Sequence, residues 1–453
     1  MVQEYDLVVL GGGAAGLAAA STGVRQGATT LLVTESPPGG DCTFTGCVPS
    51  KTVIEAAAAG LPFGRAMARA REVVARIGAT EDESVLRARG IDVMRGHARL
   101  LSRDRIQVGT RVVRAPRMVL ATGSAPMVPP IGNLADVPVL TTDTVFDLEA
   151  APDSLAILGG GANGCELAQA FARLGIPVSL VESEGTLLPG TDPDVSALIG
   201  ESLAADGVDV RVDAPVSSVH GDGQEITLTA GSATLSAQRL LVTTGRAPVT
   251  ADLGLDAAGV ATDHRGFVVV DRHLRTTVPG ITAAGDVTGL SGHTHAAYAM
   301  GRVAATAALR RTRKPVFGTG AIPEVVFTTP EVATVGTFEH DVTDHRVRVA
   351  YLPMAEVDRA VTAGATTGFV KLIAGPRRGL GRLGGGKLLG ATVVAERAGE
   401  LISEATLAID TGMFTGRLAQ TIHPYPTWSI ALQQAAAQFF GSHGGRTARR
   451  AGG

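Results

Sequence analysis

Two cysteines with four residues between them stand in the run Gly39-Gly40-Asp41-Cys42-Thr43-Phe44-Thr45-Gly46-Cys47-Val48-Pro49-Ser50-Lys51. In an ideal helix their Cα atoms would lie ~8.6 Å apart, beyond the ~7 Å limit for a disulfide. For the two to act as one redox unit the segment must depart from a regular helix, which Gly46 and Pro49 permit. Otherwise they are two separate buried thiols, the usual state of cysteines in reducing compartments. Lys51 falls one turn after Cys47, so the two side chains can face one object. The remaining cysteine is Cys165, and three cysteines so unevenly spaced do not make the disulfide framework of a small secreted scaffold.

Glycine clusters carry the second kind of chemistry. Gly11-x-Gly13-x-x-Gly16 follows an apolar run, Tyr5 to Leu10, and opens an Ala-rich stretch of helical character. Glycines at this spacing permit a tight turn, close approach of the backbone to a pyrophosphate, and close packing of helix on strand. The helix N-terminus then offers unpaired N–H groups to the phosphates. Glu35 ends the next apolar run, nineteen residues past Gly16, where a carboxylate can accept a ribose hydroxyl. The same grammar returns with Leu155 to Leu158, Gly159-x-Gly161-x-x-Gly164 and Glu182 at the end of Val178 to Val181. Glu182 and Glu184 would repel a 2′-phosphate, and no arginine follows closely to accept one, so NADH is expected over NADPH. Two dinucleotide sites in one chain point to a flavin exchanging electrons with a nicotinamide, and the Cys47–Lys51 turn is then placed to meet the flavin ring.

The elements that must position these groups can be read from composition and pattern. At ~150 residues per domain, 453 residues correspond to about three domains. With 45% hydrophobic and 18% charged residues the chain has ample apolar surface for packed cores. No run of ~18 apolar residues is present and Met1 to Tyr5 lacks a basic leader, so a soluble cytoplasmic protein is expected, with neither membrane nor signal peptide. The net charge of −3 and the scatter of basic residues argue against nucleic acid as a partner, and the cluster Arg310, Arg311, Arg313 and Lys314 reads as a solvated helix end. Leu61 to Arg89 reads as helical. Ile106 to Val113 and Met118 to Leu120 read as strands of a small sheet, and Asp209 to Val270 as β-rich. A linker near Arg311 to Gly320 leads to a third region, Ile322 to about Phe440, with strands first and helices after. Gly441 to Gly453 reads as a disordered tail.

These motifs resemble those of the pyridine nucleotide-disulfide oxidoreductases over nearly the whole chain, Asp6 to about Gln438. In detail they are closest to the mercuric reductases and dihydrolipoamide dehydrogenases within that family. The resemblance implies an α/β chain with two Rossmann-like domains, for FAD and NAD, and a C-terminal α+β dimerisation domain. The expected bounds are 1–148 with 274–318 for FAD, 149–273 for NAD, 319–440 for dimerisation and 441–453 for the tail. It implies a redox disulfide in which Cys42 is the distal interchange thiol and Cys47 the charge-transfer thiol against the flavin. Lys51 matches the active-site lysine, and Glu166 the glutamate that pairs with it. Ala121-Thr122-Gly123, Thr244-Gly245-Arg246 and Ala284-Gly285-Asp286 match cofactor-binding turns, with Asp286 expected at the ribityl chain and Thr294 beside the flavin. A homodimer is implied, with no resident metal.

One departure bears on the acceptor. The family's disulfide reductases carry a His-Pro-Thr-x-x-Glu signature whose histidine, supplied by the partner subunit, is the acid-base for the dithiol. Here the run is Tyr425-Pro426-Thr427-Trp428-Ser429-Ile430, so both members of that dyad are replaced. Tyrosine titrates near pH ~10 and isoleucine cannot orient a base, which argues against fast dithiol-disulfide exchange and against a dihydrolipoamide dehydrogenase role. His423, two residues upstream, reads as a loop histidine without a catalytic task. Tyr425 is what mercuric reductases carry, but the vicinal C-terminal cysteines that would relay Hg(II) are missing from this sequence. The expectation is therefore an FAD enzyme that moves hydride from NADH through Cys42–Cys47 to a small-molecule or metal-ion acceptor. A redox-sensing flavoprotein acting through partner binding is the alternative from another class.

Overall fold

The computed structural model describes residues 3–452 apart from 222–223, 232, 311, 313–314, 378 and 380. The first apolar run forms strand β1 (Leu7–Leu10), followed by α1 (Ala14–Arg25) and β2 (Thr30–Thr34). The cysteine segment folds as two helices, α2 (Gly40–Phe44) and α3 (Cys47–Ala58), and leads to α4 (Phe63–Gly78), β3 (Ile91–Arg95) and β4 (Met118–Leu120). The pattern then repeats as β5 (Leu155–Leu158), α5 (Ala162–Arg173), β6 (Val178–Val181), α6 (Pro193–Ala205), β7 (Asp209–Arg211) and β8 (Arg239–Val242). Strand β9 (Ile281–Ala283) and helix α7 (Thr294–Leu309) follow. The last third comprises β10 (Glu324–Val326), β11 (Glu331–Gly336), β12 (Arg348–Pro353), β13 (Phe369–Gly375), β14 (Lys387–Ala395), α8 (Ala398–Asp410), α9 (Ile430–Ala437) and β15 (Arg449–Arg450).

The chain divides into two compact units. The first holds the chain up to Pro130, Leu140–Ala151 and Thr244–Gly318. Its parallel sheet has the order β9-β4-β1-β2-β3, and its strands other than the edge strand β3 are buried on both faces, as parallel sheets flanked by helices are. Val8, Leu10, Leu31, Val33, Met118 and Ile281 form its core, each such side chain contributing roughly 1.5–3 kcal/mol by leaving water. Helices α1 and α7 pack closely. A Cβ on Gly301 of α7 would lie 2.1 Å from the Ala15 carbonyl oxygen, so glycine there is what lets α7 reach the first dinucleotide turn.

The second unit holds Ile131–Val139, Pro152–Thr243 and the chain from Thr319 onward. Its parallel strands run in the order β8-β5-β6-β7. The last third adds an antiparallel sheet of order β10-β11-β14-β13-β12-β15, on which α8 and α9 pack through Leu401, Ile402 and Leu432. One charged cluster is buried there. Lys371 of β13, 4% exposed, lies 3.1 Å from Asp192, 2.8 Å from Asp194 and 3.3 Å from Glu339. Burial alone would lower the lysine's pKa, but the carboxylates hold it above its ordinary value and keep it charged.

Three expectations are corrected. The tail is folded: β15 pairs antiparallel with β12, Arg449 meets Glu339 at 2.5 Å and Arg446 meets Glu356 at 2.7 Å. The Gly/Arg/Ser composition concealed this because two residues of strand and two ion pairs leave no periodicity to read. Residues 244–273, expected with the nicotinamide domain, belong to the first unit, and much of that stretch is irregular rather than β-rich. Met118–Leu120 joins the parallel sheet of the first unit. The small sheet is instead made of Gln3–Glu4, Ala98–Ser102, Arg105–Val108 and Arg111–Arg114. In the basic cluster Arg310 caps α7, while Arg311, Arg313 and Lys314 lie outside the described residues.

Candidate active site

The dinucleotide turns come first because they set where everything else must lie. Gly11 has φ +109° and Gly159 has φ +110°, backbone that side-chain-bearing residues rarely adopt. A Cβ on Gly16 would lie 1.8 Å from the Gly11 carbonyl oxygen, and one on Gly164 would lie 1.9 Å from that of Gly159. The middle glycine of each motif differs: around Gly161 a Cβ would meet nothing within 4 Å, and around Gly13 only the Gly40 Cα at 4.0 Å. Two glycines of each motif thus serve the fold, and the third leaves space at the N-terminus of α1 or α5, where no side-chain cap competes for the N–H groups. The residues present therefore fit a pyrophosphate at both turns.

Around the first turn the expected cofactor residues gather. Ala121 lies against Gly11, and Thr122 donates to the Val249 carbonyl at 2.6 Å, fixing the turn that ends at Gly123, φ +75°. Asp286 accepts from Ser124 Oγ at 2.7 Å, and Arg246 Nε donates to the same hydroxyl at 2.7 Å. Arg246 also pairs with Asp41 at the start of α2. Sequence reading missed this chain of Asp41, Arg246, Ser124 and Asp286. Its partners are up to 205 positions apart, and only Arg246 and Asp286 were signalled, each by its own turn and neither as a partner of the other. Gly245 has the positive φ, +151°, that the turn requires. Glu35 is engaged at 2.7 Å by His97 Nδ1, and the carboxylate holds that histidine above its ordinary pKa.

The cysteine segment breaks as its spacing requires. Helix α2 ends at Phe44 and α3 begins at Cys47, with Gly46 between them, its N–H bonded to the Asp41 carbonyl. Gly40 sits against the dinucleotide turn, since a Cβ there would lie 2.6 Å from Gly13 Cα. Cys42 and Cys47 both stand as thiols and hydrogen-bond to each other. That bond first, then burial, pushes the Cys42 pKa well above the usual thiol value. Thr294, the first residue of α7, brings its hydroxyl to 3.4 Å from Cys47 Sγ and also bonds Cys42. Lys51 lies on α3 one turn beyond Cys47. The arrangement can exchange a dithiol for a disulfide with a hydroxyl in contact with both sulfurs.

In the second unit Glu182 is 7% exposed. Its carboxylate accepts from the Gly160 N–H at 2.6 Å and the Glu184 N–H at 2.8 Å, so it is fixed against the turn. Glu166, 2% exposed on α5, accepts from the Phe327 N–H at 2.9 Å. Tyr425 is 69% exposed and donates to Asp358 at 2.7 Å, a bond that raises its pKa above the ordinary tyrosine value. His423 is held on both nitrogens, Nε2 at 3.0 Å from Glu404 and Nδ1 at 2.9 Å from the Thr421 carbonyl. Among the described residues no group of three or more His, Cys, Asp or Glu is arranged to hold a metal ion, and no helix is long and apolar enough to cross a membrane.

Comparison with known proteins agrees with this geometry. The family profile of the pyridine nucleotide-disulphide oxidoreductases matches residues 5–301, and that of their dimerisation domain matches residues 322–436. A mercuric reductase of Streptomyces lividans is 37% identical, with 96% of each chain covered. A dihydrolipoyl dehydrogenase of Thermus scotoductus is 34% identical, covering 96% of this chain and 97% of that one. Among solved structures, a Cu(II) complex of the HOCl-induced flavoprotein disulfide reductase RclA from Escherichia coli has a TM-score of 0.89 at 29% identity, over 96% of this chain and 99% of that one. LpdA from Mycobacterium tuberculosis has a TM-score of 0.87 at 30% identity, over 96% and 99%. Fold and motifs together define a two-dinucleotide reductase, and the chain belongs to the pyridine nucleotide-disulphide oxidoreductases. It is an FAD-dependent enzyme of that family, whose members typically use a pyridine nucleotide as well.

Proposed function

We propose that the protein is a homodimer that oxidises NADH and reduces a small oxidant, of which quinones fit best, with the Cys42–Cys47 pair in the electron path. The observation that carries this reading is the two thiols and the Thr294 hydroxyl gathered where α2 starts against the first dinucleotide turn. FAD bound there, with its pyrophosphate at Gly11, Gly13 and Gly16, its ribose at Glu35 and its ribityl chain at Asp286, supplies two-electron chemistry between nicotinamide and disulfide. The second turn, Gly159, Gly161 and Gly164 with Glu182, binds NADH. Ala121, Thr122, Gly123 and Gly245 shape the walls of the first site. Lys51 orients charge near the reacting ring. Cys47, at the N-terminus of α3, is the thiol whose negative charge the helix favours, and Cys42 keeps its proton.

The choice of acceptor rests on proton chemistry. A dithiol substrate needs a general acid for its departing thiolate, typically worth ~10²–10⁴ in rate, and Tyr425 is a poor one because Asp358 raises its pKa further. Quinones draw their protons from water as readily as from protein. The relatives named mercuric reductase keep Hg(II) in view as an acceptor, but the only thiols near the turn are Cys42 and Cys47, and a soft ion is relayed by successive thiolates. The test is an anaerobic NADH titration of the holoenzyme followed by turnover with quinones, dyes, lipoamide, glutathione disulfide and Hg(II). Quinone and dye rates should lead. Lipoamide turnover at hundreds per second, within the upper part of the usual ~1–10³ s⁻¹ range, would replace this reading by a dihydrolipoamide dehydrogenase.

A further inference from the structure

We propose that Arg246 is a positioning residue for the Cys42–Cys47 pair: by holding the Asp41 carboxylate it fixes the residue whose carbonyl closes the break between α2 and α3, and so sets how readily the two thiols form a disulfide. This rests on the reading that the two cysteines act as one redox pair. The residues immediately ahead of the cysteines carry the argument. Asp41 precedes Cys42 and Gly46 precedes Cys47, and the Asp41 carbonyl accepts from the Gly46 N–H at 2.6 Å and from the Thr45 N–H at 2.9 Å. Gly46 sits so close that a Cβ there would lie 3.0 Å from that carbonyl oxygen and 3.5 Å from Cys42 Cα. The start of α2 thus holds the start of α3 through one carbonyl oxygen, and a shift of Asp41 changes the relation of Cys42 to Cys47.

A helix of five residues is too short to hold Asp41 in place by itself. Its side chain is tied instead to Arg246, whose guanidinium is anchored from the other side. Nε donates to Ser124 Oγ at 2.7 Å, and Nη2 donates to the Ser124 carbonyl at 2.7 Å. Arg246–Pro248 pairs antiparallel with Ser124–Pro126, so the guanidinium is presented from paired backbone. Nη1 faces Asp143 at 3.9 Å, and Ser124 Oγ extends the link to Asp286 at 2.7 Å. One guanidinium therefore stands among three carboxylates. Burial pushes the Asp41 carboxyl up, Arg246 opposes that, and Asp143 and Asp286 add to the rise, so of these groups Arg246 alone favours a charged Asp41. Without the guanidinium the three carboxylates repel and the first turn of α2 is freed. A disulfide needs the two Cα atoms within ~7 Å and one dihedral geometry, whereas two thiols need neither, so freeing α2 disfavours the disulfide more than the dithiol.

The experiment equilibrates the holoenzyme, without oxygen, in mixtures of reduced and oxidised dithiothreitol and measures the thiols trapped by a maleimide. In that exchange the Cys42–Cys47 bond breaks and two protein thiols form, while dithiothreitol gives up two electrons and two protons and closes to its cyclic disulfide. Arg246→Gln and Asp41→Asn should each shift the equilibrium toward the dithiol by ten-fold or more, ~30 mV for a two-electron couple. Because the two side chains act as one unit, the double variant should shift it no further than the larger single effect. If Arg246→Gln loses its flavin or does not fold, Asp41→Asn, at a side chain 54% exposed, carries the test alone. Flavin-loaded variants that keep the wild-type equilibrium, or single shifts that add in the double variant, overturn the proposal while leaving the redox pair intact. A wild type that forms no disulfide in any of the mixtures ends the redox-pair reading, and this proposal with it.

Discussion

Cys42 and Cys47 differ in what their surroundings do to a charge, and that asymmetry gives each a separate prediction. Cys42 is pushed toward the protonated form, whereas Cys47 begins a 12-residue helix and touches the Thr294 hydroxyl. Two-electron reduction of the holoenzyme should therefore produce a long-wavelength absorbance band that Cys47→Ser abolishes and Cys42→Ser retains. Flavin bleaching without any band in wild type would take the thiols out of the path. Glu182 makes the second residue-scale prediction. Fixed by the Gly160 and Glu184 N–H groups, its carboxylate cannot swing away from a 2′-phosphate. NADH should exceed NADPH by ten-fold or more in kcat/KM, ~1.4 kcal/mol in the transition state. Equal efficiency for the two nucleotides would show that this carboxylate does not read the ribose.

At the scale of the element, the two strand-turn-helix units separate glycines that hold the turn together from the glycine that leaves room for a ligand. Gly164→Ala puts a methyl 1.9 Å from a backbone oxygen, so α5 must move off β5. The expected outcome is a loss of stability at the upper end of overpacking costs, ~3 kcal/mol or more, in denaturant unfolding. Gly161→Ala meets no protein atom within 4 Å and should leave stability within about 0.5 kcal/mol while raising the KM for NADH several-fold. A Gly161→Ala protein as unstable as Gly164→Ala would show that both glycines are structural. The break between α2 and α3 is the other element-scale device: without it the Cα atoms of the two cysteines would stand ~8.6 Å apart on one helix and the thiols could not bond.

For the whole molecule the question is what a dimer can supply. The dimerisation sheet carries Tyr425 exposed on a loop before α9, and Ile430 as the first residue of that helix. If the loop meets the partner's cysteines, as the family reading implies, Tyr425→His/Ile430→Glu should raise lipoamide and glutathione disulfide reduction at least ten-fold and leave quinone turnover within two-fold. Tyr425→Phe should scarcely change the quinone rate. A double variant that gains nothing with disulfides, though dimeric and loaded with flavin, would mean that the loop lies elsewhere.

The sequence by itself determined the two dinucleotide turns, the broken cysteine segment and the replaced dyad, because each depends on residue type at short, fixed spacing. Gly11 and Gly16, or Cys42 and Cys47, constrain one another through five residues of backbone, and no distant contact can alter that spacing. The order of the elements was legible for the same reason, since period and turn chemistry are local. Only the tertiary structure decided what joins residues far apart in the chain: Thr294 on the sulfur of Cys47, 247 positions away, Arg246 on Asp41, and Lys371 among three carboxylates. It also decided that the tail is a strand, because β15 is held by β12 and by Glu339 and Glu356 rather than by any propensity of its own. His423 shows the same division. Its sequence neighbours give it no partner side chain, and only the folded chain brings Glu404, 19 positions away, to 3.0 Å from its Nε2.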